Sequence, residues 1–321
     1  MSKTAFRTTL STAVLTTASL MLLSTAPAMA VTAPLSNPRI ETHFDVNRGQ
    51  LPENVAFAPG GGVLVTLATS RQVAQIGADG VTRVLATLPK PADGGVHTPI
   101  LGFALITGIV RTDDGTVYFL YATGTADLTG VWRLKPGGEP KRIAALPSTG
   151  LPNGLALNSH TGVLYIADSV LGKLFTVSTR GGTVATFSSA PELASTGFLG
   201  VNGVKIHDGV VWVSNLDQGT VLRIPVRRNG DAGPVEIKAT GLVGIDDFAF
   251  IGRDDTILAA LNGPNSVELI KPNGAHRVVL DASDGLQNPS AVGVRAGIVY
   301  VTNAAYSTQK DPNLLLANLK H

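Results

Sequence analysis

The chain has no cysteine among its 321 residues. That excludes disulfide staples, thiolate metal sites, iron–sulfur chemistry and thiol catalysis. Stability must then come from a large apolar core, which a chain of this length can supply. Aromatic residues make up only 5%, whereas Gly (36) and Pro (19) are plentiful, a balance that suits many short strands joined by tight turns rather than long helices. Charge is also scarce: 25 basic residues face 23 acidic ones, and residues 1–30 carry Lys3 and Arg7 with no acid. Without that segment, 25 − 2 gives 23 basic against 23 acidic residues. Such neutrality argues against nucleic acid or an anionic membrane held by bulk charge. The Arg227-Arg228 pair is explained by a solvated hairpin loop.

Residues 1–30 combine this basic start with an apolar stretch from about Ala13 to Leu23 and an Ala-Pro-Ala-Met-Ala end at Ala30. These are the marks of a secretory signal peptide, and the apolar run is shorter than the ~20 residues that span a bilayer. The expected organisation is a signal peptide at 1–30 and one secreted domain at 31–321, extracellular or periplasmic, with no membrane attachment after cleavage.

A weak internal repeat decides the expected fold. Its clearest copy runs Asn153-Gly154-Leu155-Ala156-Leu157, then Gly162 to Asp168, then Gly172 to Val177. The next runs Asn202-Gly203-Val204-Lys205-Ile206, then Gly209 to Asn215, then Gly219 to Ile224. Looser copies open at Glu53, Thr107, Asp246 and Ser290, so the six openings are 54, 46, 49, 44 and 44 residues apart. About four short strands per period of this length is the signature of a propeller blade. We therefore expect an all-β, six-bladed β-propeller with four-stranded antiparallel blades. A strand near Leu314–Ala317 and the N-terminal segment Arg39–Phe44 would complete the last blade and close the ring.

Innermost strands line a propeller's channel, so the openings ring its mouth. Glu53, Thr107, Asn153, Asn202, Asp246 and Ser290 then converge, with Asn54 and Asp247 adjacent. Carboxylates plus amide oxygens are the ligand set of a hard cation such as calcium, and Glu53, Asn153, Asn202 and Asp246 form the candidate metal set. Asn and Asp also open strands for turn reasons, but Glu53 is a poor turn residue. The histidines show no metal spacing, and His160 and His207 fall in expected hairpin turns. No Gly-x-Ser-x-Gly elbow supports a serine hydrolase. Trp132 and Trp212 fall on strands as packing. The segment Lys90–Leu105, with His97 and an apolar run from Ile100 to Ile106, is long enough to be a functional flap. Ser188–Gly200 is a second flap, with Phe198 and Leu199 facing the ligand. The expected pocket is thus Asn54, Thr107, Ser290, His97 and Phe198 around the metal set, with Asp246 and Asp247 for acid/base work.

Pro152-Asn153-Gly154-Leu155, Tyr165-Ile166-Ala167-Asp168-Ser169 and Gly200-Val201-Asn202-Gly203-Val204-Lys205 resemble the gluconolactonase and regucalcin-like superfamily of six-bladed propellers, over about Glu53 to Asn303. That resemblance implies a divalent cation at the channel mouth held by a Glu, two Asn and an Asp. Glu53 and Asn153 match two of these. Ile106 and Thr107 stand where the second-blade Asn would be, and Asn202 stands for the Asp that also serves as base. An amide cannot accept a proton, which leaves Asp246 or Asp247 of the next blade. Glu53-Asn54-Val55, Val201 to Lys205 and Asp246 to Ala249 are also similar to a secreted fungal branch of hetero-Diels–Alderase-like propellers, which hold a reactive compound in a shaped pocket. Three functions follow as expectations: metal-dependent hydrolysis of a lactone or ester, a metal-free cyclase, or a non-catalytic binding propeller. Each has a small molecule as its partner.

Overall fold

The computed structural model describes residues 34–320; the expected signal peptide lies outside the described residues. Among the described residues six four-stranded antiparallel sheets follow one another as blades, and helix is confined to four single 3₁₀ turns. The innermost strands are Pro52–Phe57, Leu105–Arg111, Pro152–Asn158, Val201–His207, Ile245–Phe250 and Pro289–Arg295. Every expected opening residue lies at the start of one. In blade 6, Asn313–Leu319 is the third strand and Leu35–His43 the outer one, paired antiparallel with it. The ring is thus closed by the N-terminal strand, which leaves only short edges.

Second and third strands are buried almost throughout, as in Val117–Ala122 and Ser266–Ile270, while outer strands such as Thr82–Thr87 are largely exposed. The core is accordingly a set of layers between adjacent blades. One layer packs Trp212 against Phe248 and Ile245; another packs Phe119, Tyr121 and Trp132 against Val73 and Leu88. His207 departs from expectation. It ends an inner strand rather than sitting in a turn, and its ring stacks on Phe250 at 3.9 Å between centroids.

One irregularity recurs in all six blades. The pairing of each innermost strand with its neighbour slips at the opening, between Pro52 and Asn54, Ile106 and Ile109, Pro152 and Leu155, Val201 and Val204, Ile245 and Phe248, and Pro289 and Ala291. Such bulges break the strict in–out alternation and re-aim side chains. They also bring neighbouring blades very close. A Cβ on Gly154 would run into the Asn202 carbonyl, and one on Gly203 into the Asp247 carboxylate. The Asn-Gly pairs are therefore not turns: Asn points into the channel, and Gly lets the next blade approach.

Hydroxyls bridge the same seams. Thr107 Oγ1 donates to the Pro152 carbonyl at 2.9 Å, Ser169 Oγ to Val201 at 2.8 Å, and Ser290 Oγ to Pro52 at 2.8 Å. Each is fully buried and ties one blade to the next. Thr107 and Ser290, expected in the pocket, are thus turned away from it by the bulge. Thr107→Val should cost about 1–2 kcal/mol in denaturant unfolding, because the Pro152 carbonyl loses its partner, and should leave substrate KM unchanged. A change in KM without a loss of stability would return Thr107 to the pocket.

Candidate functional site

A cavity of about 320 Å³ sits at the mouth of the channel. Its floor carries Glu53, Asn153, Asn202 and Asp246 from blades 1, 3, 4 and 5, all buried, joined by Tyr306. Its walls are Leu101, Phe103 and Leu105 from the first flap, Phe198 and Leu199 from the second, and Leu216, with Asn262 and Ser307 as the remaining polar lining. Both expected flaps therefore reach the site. His97 does not: its side chain is exposed near Asp93, at 3.7 Å, because the flap turns it outward while Leu101 and Phe103 point in.

The bulge in blade 5 sorts the two adjacent aspartates. Asp246 faces the cavity, whereas Asp247 points into the channel beneath. There it accepts from Lys205 Nζ at 2.5 Å and Asn54 Nδ2 at 2.9 Å, and its own Phe248 N–H donates to its other oxygen. Asn54 belongs to this partly buried polar plug and not to the pocket. Asp247 is fully paired there, so the acid/base candidates narrow to Asp246.

Among the described residues neither Glu53 nor Asp246 forms an ion pair; Lys205, paired with Asp247, favours the Asp246 charge only as the smallest of the influences on it. Burial, above all, pushes the Glu53 carboxyl up to about 7; the Tyr306 hydrogen bond opposes the shift and the Asp247 charge adds to it. Asp246 is raised well above the usual carboxylate range by burial, then by Glu53 and Asp247, with Asn202 as a hydrogen-bond partner working the other way. Two carboxylates confined in one low-dielectric cavity repel, and one ionises only at a cost. The Tyr306 hydroxyl donates to Glu53 Oε2 at 2.5 Å. Burial and the adjacent carboxylate hold that phenol well above its ordinary value, so it stays a donor.

Tyr306 carries no sequence signal. It lies in the loop after the second strand of blade 6, following Ala305 in the left-handed region (φ +53°). Buried Asn288 shapes that loop, its Oδ1 accepting from the Ser307 and Thr308 N–H groups at 2.9 and 3.0 Å. Only this arrangement brings residue 306 to residue 53.

The second flap is held by one carboxylate. Asp217 Oδ2 accepts from the N–H groups of Thr196, Gly197 and Phe198 at 2.8–2.9 Å. Partial burial works to raise its pKa, but these amides and that of Leu199 outweigh it and hold the carboxyl below its ordinary value. Asp217→Ala should speed amide exchange at residues 196–198 with little change in melting temperature, since the contacts are peripheral. Unchanged exchange would show that packing alone holds the flap.

The floor offers only oxygen donors: two carboxylates, two amides and a phenol. Among the described residues no three His, Cys, Asp or Glu side chains converge as a metal group. Any ion here would thus rest on Glu53 and Asp246 with the Asn153 and Asn202 amide oxygens, donor chemistry that suits a hard cation.

No family model and no curated protein matches the sequence. Solved structures do match in fold. A calcium-binding protein, regucalcin, from Agrobacterium tumefaciens superposes with a TM-score of 0.64 at 17% identity, covering 88% of this chain and 93% of its own. A gluconolactonase from Xanthomonas campestris gives 0.64 at 13% identity, covering 91% and 93%. Catalytically inactive virginiamycin B lyase from Staphylococcus aureus, with quinupristin, gives 0.60 at 14% identity, covering 85% and 82%. Fold-level likeness does not separate the fungal hetero-Diels–Alderase branch from these relatives. At such identities the likeness is one of architecture: the chain is a six-bladed β-propeller, and the solved propellers it resembles include regucalcin and gluconolactonases.

Proposed function

We propose that the protein is an exported hydrolase that opens a lactone or related ester in the Glu53–Asp246 cavity, with a divalent cation, calcium by its donor set, held by Glu53, Asn153, Asn202 and Asp246. One observation carries this: two buried carboxylates share a cavity while Lys205, the lysine that influences Asp246, is hydrogen-bonded to Asp247. A divalent ion is the counter-charge that such a pair lacks. When bound, it supplies Lewis-acid polarisation of the substrate carbonyl. The likeness to gluconolactonase in fold, and the basic start followed by an apolar run at residues 1–30, support the rest.

The chain's own groups divide the work. Tyr306 fixes the rotamer of Glu53 through its hydroxyl. The apolar walls exclude bulk water and strengthen every charge interaction on the floor. Asp246 is the acid/base group. As water adds to the carbonyl carbon, Asp246 takes the proton that the water loses. The bond from that carbon to the alkoxy oxygen then breaks, and Asp246 returns the proton to that oxygen. Water and lactone give one hydroxy acid.

A second reading has its own observation. A Glu53 carboxyl poised near 7 can exchange protons at neutral pH without any ion, which suits a metal-free cyclase. The two part on chelation. Metal content by mass spectrometry, with lactone turnover before and after chelation, is the test. Bound ion and lost turnover support the hydrolase; turnover that survives chelation favours metal-free chemistry.

A further inference from the structure

We infer that the compound taken by this cavity presents its ester or lactone carbonyl on an apolar alkyl or aryl body, and that polyhydroxylated sugar lactones are poor substrates. The inference rests on the hydrolase reading for the reactive group, and on the cavity alone for the rest of the ligand.

The cavity has two zones. Its polar groups lie on the floor, and several are already engaged: the Tyr306 hydroxyl donates to Glu53, and Asn202 is a hydrogen-bond partner of Asp246. Above them, Leu101, Phe103, Leu105, Phe198, Leu199 and Leu216 make the walls. Apart from Asn262 and Ser307, the lining above the floor offers a sugar's hydroxyls no polar partner, so most of them would lose water without replacement. An alkyl or aryl group would bury its own surface and theirs.

Both flaps also expose apolar side chains. Val96 (60% exposed) and Ile100 (54%) lie on the first flap, and Phe198 (45%) on the second. Of these, Phe198 lines the cavity itself, so its exposed face extends the apolar lining towards solvent.

The walls are also preformed, as a selective pocket requires. Ile100 is held at φ +65°, a region that a β-branched residue adopts only under constraint. At the flap's seat, a Cβ on Gly124 would run into the His97 carbonyl, and one on Gly95 into Ala104 at 2.5–3.1 Å. Both glycines have positive φ, so at Gly124 the flap is pressed onto blade 2 and at Gly95 it is folded against its own far end, at two points that admit no side chain. The other flap is clamped by Asp217.

The test uses the whole mature chain and two matched series: δ-lactones with alkyl side chains of increasing length, beside glucono-δ-lactone, and unreactive δ-lactams with the same side chains. Calorimetry on the lactams should show Kd falling about fourfold per methylene until the cavity is full. Phe198→Ser and Phe103→Ser should each raise that Kd about tenfold. For the lactones, kcat/KM should follow the same series and exceed that of glucono-δ-lactone by about 100-fold. Lactams that bind with this slope in a protein that opens no lactone would uphold the apolar ligand and remove the hydrolase. Lactam affinity indifferent to chain length, or glucono-δ-lactone opened as fast as the alkyl lactones, would overturn the inference and leave hydrolysis standing.

Discussion

Asp246→Asn should lower kcat/KM for lactone opening by about 10³-fold while leaving the protein folded and more stable without metal. The catalytic loss follows from chemistry. An amide occupies the same space but cannot take a proton from water, and a positioned acid/base group contributes about 10²–10⁴-fold. The gain in stability follows from electrostatics. Asp246 is buried and raised by its neighbours Glu53 and Asp247, so removing its charge relieves a repulsion that folding now works against. Asp247→Asn is the contrasting variant. It leaves the half-buried Lys205 without its carboxylate, and should destabilise the fold while acting on the chemistry only indirectly. Breaking a buried pair costs about 3–5 kcal/mol, so 2–3 is a fair expectation for this partly exposed lysine. If Asp246→Asn retained turnover, or if the two variants behaved alike, the division of labour between the adjacent aspartates would be wrong. Melting curves in chelator, with steady-state rates on one lactone, decide it.

The second large effect concerns pH. Chelated protein should be more stable near pH 5 than near pH 8, the reverse of a protein held by salt-bridged carboxylates. An unfolded Glu53 titrates at 4.5, the folded one at about 7. Between those values the folded chain keeps a proton that the unfolded chain releases. Stability therefore falls as pH rises, is lost through about 7 and is flat above it. A shift of this size is worth on the order of 3 kcal/mol, or about 5 °C in melting temperature for a domain this large. Asp246 is shifted in the same direction and adds to the effect. Glu53→Gln should remove the Glu53 share of the slope and leave that of Asp246, and a divalent cation added to the parent at pH 8 should restore the melting temperature by binding the folded state. A flat profile in the parent, or an unchanged slope in Glu53→Gln, would show that the cavity already neutralises its carboxylates.

Sequence alone determined the architecture, because a propeller is built from local pairings. Strands that pair within a blade are close in the chain, and each repeats the same apolar run and turn residues. The period was therefore visible at Asn153–Val177 and Asn202–Ile224 and could be followed into weaker copies. The inner-strand openings, the closing N-terminal strand and both flaps came from the same logic. Tertiary structure decided what depends on contacts across the channel or on departures from regular pairing. The bulge at each opening sent Asp246 to the cavity and Asp247 to Lys205, a choice that strict alternation could not make for two adjacent, identical residues. It also turned Thr107 and Ser290 into ties between blades. Tyr306 meets Glu53 across a separation of 253 residues, through a loop whose path is set by Asn288 and one left-handed residue. No periodic pattern encodes such a contact, because it arises only once the sixth blade has closed against the first.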